Sequence, residues 1–133
     1  VSPELVIRGV PADAKSLALI VDDPDAPDPA APRMIWTHWV LYNLPPDTTT
    51  IPEGARPGHG LPASVREGRN DWGEPGYRGP CPPIGRHRYF FRVYALDTML
   101  SDLSLPTRAK LLQAIKGHVL DQAELVGLYE KQR

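Results

Sequence analysis

Between Pro52 and Arg88 the chain carries seven prolines and eight glycines in 37 residues, and this stretch limits its fold more than any other feature. Proline fixes φ and lacks an amide hydrogen, and glycine loses much backbone entropy in regular structure, so no long helix or central strand runs through it. Irregular segments beyond about 15 residues are uncommon in compact domains and are usually functional or disordered. Trp72, Tyr77 and Cys81 lie within the stretch. Such side chains predict an ordered loop lying on the body of the protein.

Regular structure is expected on either side. SLALIVDD, residues 16–23, is a short apolar run of branched side chains ending in acids and proline, which reads as a buried strand delivering its last residues to a rim. HWVLYNL, 38–44, reads as a second strand. Its period of two places His38, Val40 and Tyr42 on one face and Trp39, Leu41 and Asn43 on the other. RYFFRVYAL, 88–96, is the strongest strand signal, with Tyr89, Phe91, Val93 and Ala95 opposed to Phe90, Arg92, Tyr94 and Leu96. ELVIRGV, 4–10, is a weaker candidate.

Thr107 is placed to cap a helix whose apolar face is Leu111, Leu112, Ile115 and Val119, with Gly117 as its stop. The tail HVLDQAELVGLYEK fits a helix by composition and a strand by the alternation of Leu120, Gln122, Glu124, Val126 and Leu128. The sequence leaves both open. Several strands, one or two short helices and no repeating βαβ spacing predict a mainly β fold, an antiparallel β-sandwich. Neither repeats nor linkers interrupt the chain, so one domain is expected over residues 1–133.

Charge bears on partners. Fifteen Lys and Arg against sixteen Asp and Glu leave a net charge of −1, which supplies no broad field for nucleic acid or an anionic membrane. Any anion specificity must be local. No window approaches the roughly 18 continuous apolar residues of a membrane span. Cys81 is the only cysteine, so no disulfide forms within this sequence and a reducing, cytoplasmic setting is expected. The start VSPELVIRGV lacks the pattern of a signal peptide. A leader removed earlier would leave a periplasmic or secreted location open.

Three clusters carry chemistry. In DDPDAP, Asp22 to Pro27, two prolines restrict the backbone and hold the acids in place; the bland reading is a turn whose acids face water. In WTHWVLYNLP, Trp36 to Pro45, His38 is flanked by tryptophans and expected to be partly dry. Burial lowers a histidine pKa and a neighbouring carboxylate raises it, so an Asp–His pair can place positive charge in an apolar pocket. The bland reading is a core histidine satisfied by a backbone carbonyl. In GYRGPCPPIGRHRYFFRVYALD, Gly76 to Asp97, glycines permit close approach of amide groups to an anion while prolines stiffen the loop ahead of His87. Arg78, Arg86 and Arg88 lie nearby, and solvated arginines are the commoner case.

In that order, DPDAP, HWVLYNLP and GxRGPxPPxGxHRYxFxxYALD resemble the phosphatidylethanolamine-binding proteins, especially their prokaryotic Raf kinase inhibitor-like branch, from Ser16 to Tyr129. The resemblance implies a β-sandwich with a small pocket for phosphate, phosphorylethanolamine-like groups, sulfate or carboxylate, and no metal or other cofactor. Position by position it implies an anion-binding set of Asp23, Asp25, Pro27, Trp36, His38, Gly79, Pro80, His87 and Tyr89. It also implies a longer leading segment with an edge strand ahead of SPEL, in which several relatives carry a cysteine that could partner Cys81. Pairing as a homodimer is implied by relatives that pair and by aromatic strand faces larger than one thin sandwich needs, while inhibition or modulation of a kinase or protease follows by analogy alone.

Two other classes compete. A hydrolase would use Asp23 to orient a histidine base, or Cys81 activated by His87; yet no nucleophile elbow is present and Cys81 is wedged between prolines. A metal site would draw on His38, His87 and the acids, but neither HExxH nor a Cys–His finger spacing occurs. The expectation is therefore non-catalytic anion binding. His59 and His118 are expected to face solvent.

Overall fold

The structure, a computed structural model, describes residues 2–26, 34–78 and 86–130. In chain order it forms β1 (Leu5–Val6), β2 (Ser16–Ala26), β3 (Met34–Leu44), β4 (Thr50–Ile51), β5 (Arg56–Pro57), β6 (Gly60–Leu61), β7 (Arg66–Glu67), β8 (Arg86–Leu96), α1 (Arg108–Ile115) and β9 (Val119–Glu130). The main sheet has five strands in the order β7-β3-β2-β8-β9, antiparallel throughout. β1 pairs antiparallel with β4, and the short β5 and β6 pair in parallel. The mainly β expectation is borne out.

β2 lies at the centre of this sheet, and every residue from Ser16 to Asp23 is buried. A strand covered on both faces must be apolar on both, which is why its sequence shows an unbroken run rather than alternation. On one face Leu17, Leu19 and Val21 pack with Trp39, Leu41, Phe91 and the small pairs' Leu5, Ile51 and Leu61. On the other, Ala18 and Ile20 pack with Val40, Tyr42, Tyr94 and the helix residues Leu111 and Ile115. The alternation predicted for residues 89–96 holds: Tyr89, Phe91 and Ala95 join the first cluster, Tyr94 and Leu96 the second.

Thr107 caps α1 by accepting a hydrogen bond from the Lys110 amide at 3.2 Å. The chain leaves the helix through Gly117 at φ +84°, a conformation glycine adopts without steric cost. Val119, expected on the helix, instead begins β9. The tail is a strand, paired with β8 from Arg86↔Glu130 to Leu96↔Val119. Leu120, Leu125 and Val126 on it remain exposed. Within the proline- and glycine-rich stretch, the described residues ahead of β8 form the small β5–β6 pair, the edge strand β7 and the loops around them. Among the described residues no helix is long and apolar enough to cross a membrane.

Candidate functional site

β2 and β3 set Asp23 opposite Trp36. Further along the ladder Asp22 pairs with Thr37 while Val21 pairs with Trp39, so His38 is the extra residue of a β-bulge. The bulge overturns the alternation expected for this strand. Val40 and Tyr42 do share a face, but His38 turns to the other one. There its ring meets Tyr89 at 4.9 Å, and Tyr89 belongs to the cluster of Trp39 and Phe91. A second irregularity, between the pairs Leu19↔Leu41 and Leu17↔Leu44, coincides with Asn43 at φ +59°. Asn43 binds both backbone groups of Leu100, at 2.8 and 2.9 Å.

The wall opposite the sheet comes from the loop at 70–78. Asn70 is buried, and its side-chain oxygen accepts from the amides of Trp72 at 2.9 Å and Glu74 at 3.3 Å, while its side-chain nitrogen donates to Gly76 O at 3.1 Å. These three bonds fold the turn that carries Trp72. Asp71 ties the turn to β3, accepting from the Thr37 amide at 2.7 Å and donating its own amide to Thr37 O at 2.9 Å. Trp72 then stands 5.2 Å from the His38 ring and edge-on to Trp36 at 5.3 Å. The Arg78 guanidinium lies over Trp72 at 4.7 Å and pairs with Glu74 at 3.2 Å.

His38 is 3% exposed. Its Nδ1 lies 2.8 Å from Arg78 O, and its backbone carbonyl accepts from the Arg78 amide at 3.2 Å. His38 Nε2 is buried and finds no hydrogen-bond partner among the described residues. Burial holds the imidazole pKa below its ordinary value; the Arg78 carbonyl and the carboxylates of Asp23, Asp22 and Asp71 pull the other way without prevailing. The ring is therefore neutral near pH 7. Positive charge from an Asp–His pair, expected for this pocket, is absent at His38 because desolvation outweighs the nearby acids.

The two adjacent acids part company because side chains alternate along a strand. Asp23 follows Val21 toward the His38 side. Asp22 follows Ile20 to the opposite face, fully buried, where Arg92 Nη1 donates to both its oxygens at 2.8 and 2.6 Å and Arg108 Nε donates at 3.2 Å. Asp22 is thus a structural ion-pair partner.

Of the expected site residues, Asp23, Trp36, His38 and Tyr89 are brought to one region. Asp25 and His87 are described through their backbones in β2 and β8, where His87 pairs with Tyr129; their side chains lie outside the description. Pro27, Gly79 and Pro80 lie outside the described residues, as does Cys81. Asn70, Asp71, Trp72 and the Arg78 carbonyl were missed. The available signal was NDWG, an Asx-type turn presenting an aromatic. His59 is exposed as expected, and His118, half-exposed, pairs with Asp97 at 2.8 Å. An apolar groove of about 400 Å³ between residues 4–11 and the β8–β9 edge includes none of the site residues.

A family model described as phosphatidylethanolamine-binding protein matches residues 1–130. A UPF0098 protein of Methanothermobacter thermautotrophicus is 52% identical over 131 residues, covering 98% of this chain and 83% of that one. The crystal structure of CT736 from Chlamydia trachomatis, described as a homologue of these binding proteins, superposes with a TM-score of 0.88 at 46% identity, covering 98% of this chain and 82% of that one. Escherichia coli YbcL, described as a member of the mammalian family, gives a TM-score of 0.83 at 36% identity, with 98% and 80% covered. With the aromatic, Asp and His positions of its motifs gathered around one bulge, the chain belongs to the phosphatidylethanolamine-binding protein family.

Proposed function

We propose that this chain is a non-catalytic binding protein that holds a phosphate-type anion, or a phosphorylated headgroup or side chain, beside Asp23, Trp36, His38 and Tyr89. The observation that carries the reading is His38 Nε2, buried in a ring packed against Trp72 and Tyr89 and without a hydrogen-bond partner among the described residues. A buried polar atom left unsatisfied costs about 1–3 kcal/mol. A fold that keeps one, and anchors the same ring through its other nitrogen, has a use for it in binding. The family to which the chain belongs is named for a phosphorylated headgroup, which supports the same ligand chemistry.

The hydrolase alternative would employ the same Nε2 lone pair as a base toward water. Nδ1 faces a backbone carbonyl rather than a carboxylate, so the imidazolium formed in such a step gains no ionic hydrogen bond there, and binding is the better use of the geometry. We extend the proposal to a reducing, cytoplasmic setting, from the lone Cys81, and to pairing of two copies, which the exposed Leu120, Leu125 and Val126 support. Modulation of a kinase or protease rests on analogy with relatives.

Isothermal titration with phosphate and phosphorylethanolamine tests the reading. Heat of binding that disappears in His38→Ala, but not in Leu125→Ala, is the expected result. No heat at millimolar ligand would remove the proposal.

A further inference from the structure

Three consecutive residues fasten the loop to the wall of the site. The Gly76 carbonyl accepts from Asn70 Nδ2 at 3.1 Å, and the Tyr77 ring meets Trp39 edge-on at 5.5 Å. Arg78 bonds His38 in both directions, its amide donating to His38 O at 3.2 Å and its carbonyl lying 2.8 Å from Nδ1. The root of the Arg78 side chain is therefore fixed beside the His38 ring.

The head of that side chain is held differently. The guanidinium rests over Trp72 at 4.7 Å and meets Glu74 at 3.2 Å, in side chains that are 53% and 54% exposed. Solvent screens such contacts, and each long side chain gives up rotamer freedom to make them, so exposed ion pairs and cation–π contacts are weak. Trp72 itself stands 5.2 Å from the His38 ring. The charged head is thus one aromatic ring away from the site, on a long stem rooted at it.

We propose that Arg78 is a ligand of the bound anion, held in reserve in the free protein: a phosphate group entering beside His38 draws the guanidinium off Trp72 and Glu74 and accepts two parallel N–H···O bonds from it. The proposal rests on the reading of this site as an anion pocket. Rotation about the Arg78 stem makes the exchange, and the backbone bonds to His38 stay as they are. The planar guanidinium fork matches two oxygens of a phosphate, and bonds between ionised groups in a partly dry site outweigh the exposed pair given up. Glu74 and the ligand then compete for one cation, so Glu74 sets the affinity from outside the pocket.

Calorimetric titration with inorganic phosphate is the test, on the wild type, Arg78→Gln, Glu74→Gln and the double variant. Both substitutions change exposed side chains and leave the backbone bonds at His38 in place. Arg78→Gln is expected to weaken binding at least about 10-fold, the usual loss for a hydrogen bond to a charged group. Glu74→Gln is expected to tighten it about threefold by freeing the guanidinium, and that gain is expected to vanish when residue 78 is already glutamine. The Nε–H proton resonance of Arg78, identified by its loss in Arg78→Gln, is expected to shift as phosphate binds.

Equal affinity in the wild type and Arg78→Gln overturns the inference and leaves the anion pocket standing. A gain from Glu74→Gln that persists in the double variant also overturns it, since Glu74 then acts on the ligand by repulsion and not through Arg78. So does an Arg78 resonance that stays in place while phosphate binds. No phosphate binding by the wild type overturns the pocket reading and the inference with it.

Discussion

His38 gives its Nδ1–H to the backbone carbonyl of Arg78 at 2.8 Å, across 40 positions of sequence. This one bond joins the central sheet to the glycine- and proline-rich loop, fixes the tautomer of the ring and leaves Nε2 as an acceptor.

The buried imidazole makes stability depend on pH. Its folded pKa lies below the ordinary imidazole value, so the unfolded chain binds that proton more readily. The contribution is fully present above about pH 6.5 and is lost as the pH falls toward the folded pKa. Urea midpoints are expected to decline between about pH 7 and 5, with part of that slope removed in His38→Asn. An unchanged slope in the variant would assign the decline to other groups.

Asn70 positions Trp72 through three hydrogen bonds made by one buried side chain. Asn70→Ala is expected to destabilise by about 2 kcal/mol, to alter the near-ultraviolet circular dichroism of Trp72, and to weaken phosphate binding while the far-ultraviolet spectrum stays the same. Wild-type affinity in this variant would show that the loop's aromatic wall is not part of the site.

Asp22 is fully buried, whereas Arg92 and Arg108 reach solvent in part. Losing a guanidinium therefore leaves a buried charge under-compensated, and losing the carboxylate does not. Arg92→Leu is expected to cost about 3 kcal/mol by denaturant unfolding, more than Asp22→Asn. The reverse order would mean that Arg108 alone suffices to neutralise Asp22.

Gly68 lies where β7 runs against β3. A Cβ built there would fall 2.5 Å from Val40 Cγ1 and 2.6 Å from Pro106 O. Neither the core side chain nor the backbone carbonyl has room to move, so Gly68→Ala is expected to cost at least about 2 kcal/mol and to lower the melting temperature. Gly73→Ala at φ +82°, with open space around its Cβ, is expected to show only the smaller backbone cost.

Local signals carried much of the architecture. The run from Ser16 to Asp23 announced a buried strand, the alternation from Tyr89 to Leu96 named both clusters correctly, and Thr107 and Gly117 bracketed α1. Each of these rests on neighbours within a few residues, and the sequence contains them outright. The motif residues Asp23, Trp36, His38 and Tyr89 were singled out together by the family resemblance rather than by spacing alone.

Tertiary structure decided what depends on partners distant in sequence. The tail from Val119 satisfied the pattern of a helix and of a strand, and the open edge of β8 settled it by offering hydrogen bonds. His38 left the face its parity assigned because the β2–β3 register absorbs an extra residue there. The neutrality of its ring came from burial by Trp72 and Tyr89, which approach from a loop and a strand far along the chain. Periodicity is a property of one segment. Register, desolvation and hydrogen-bond sense are properties of pairs of segments, and folding alone brings those together.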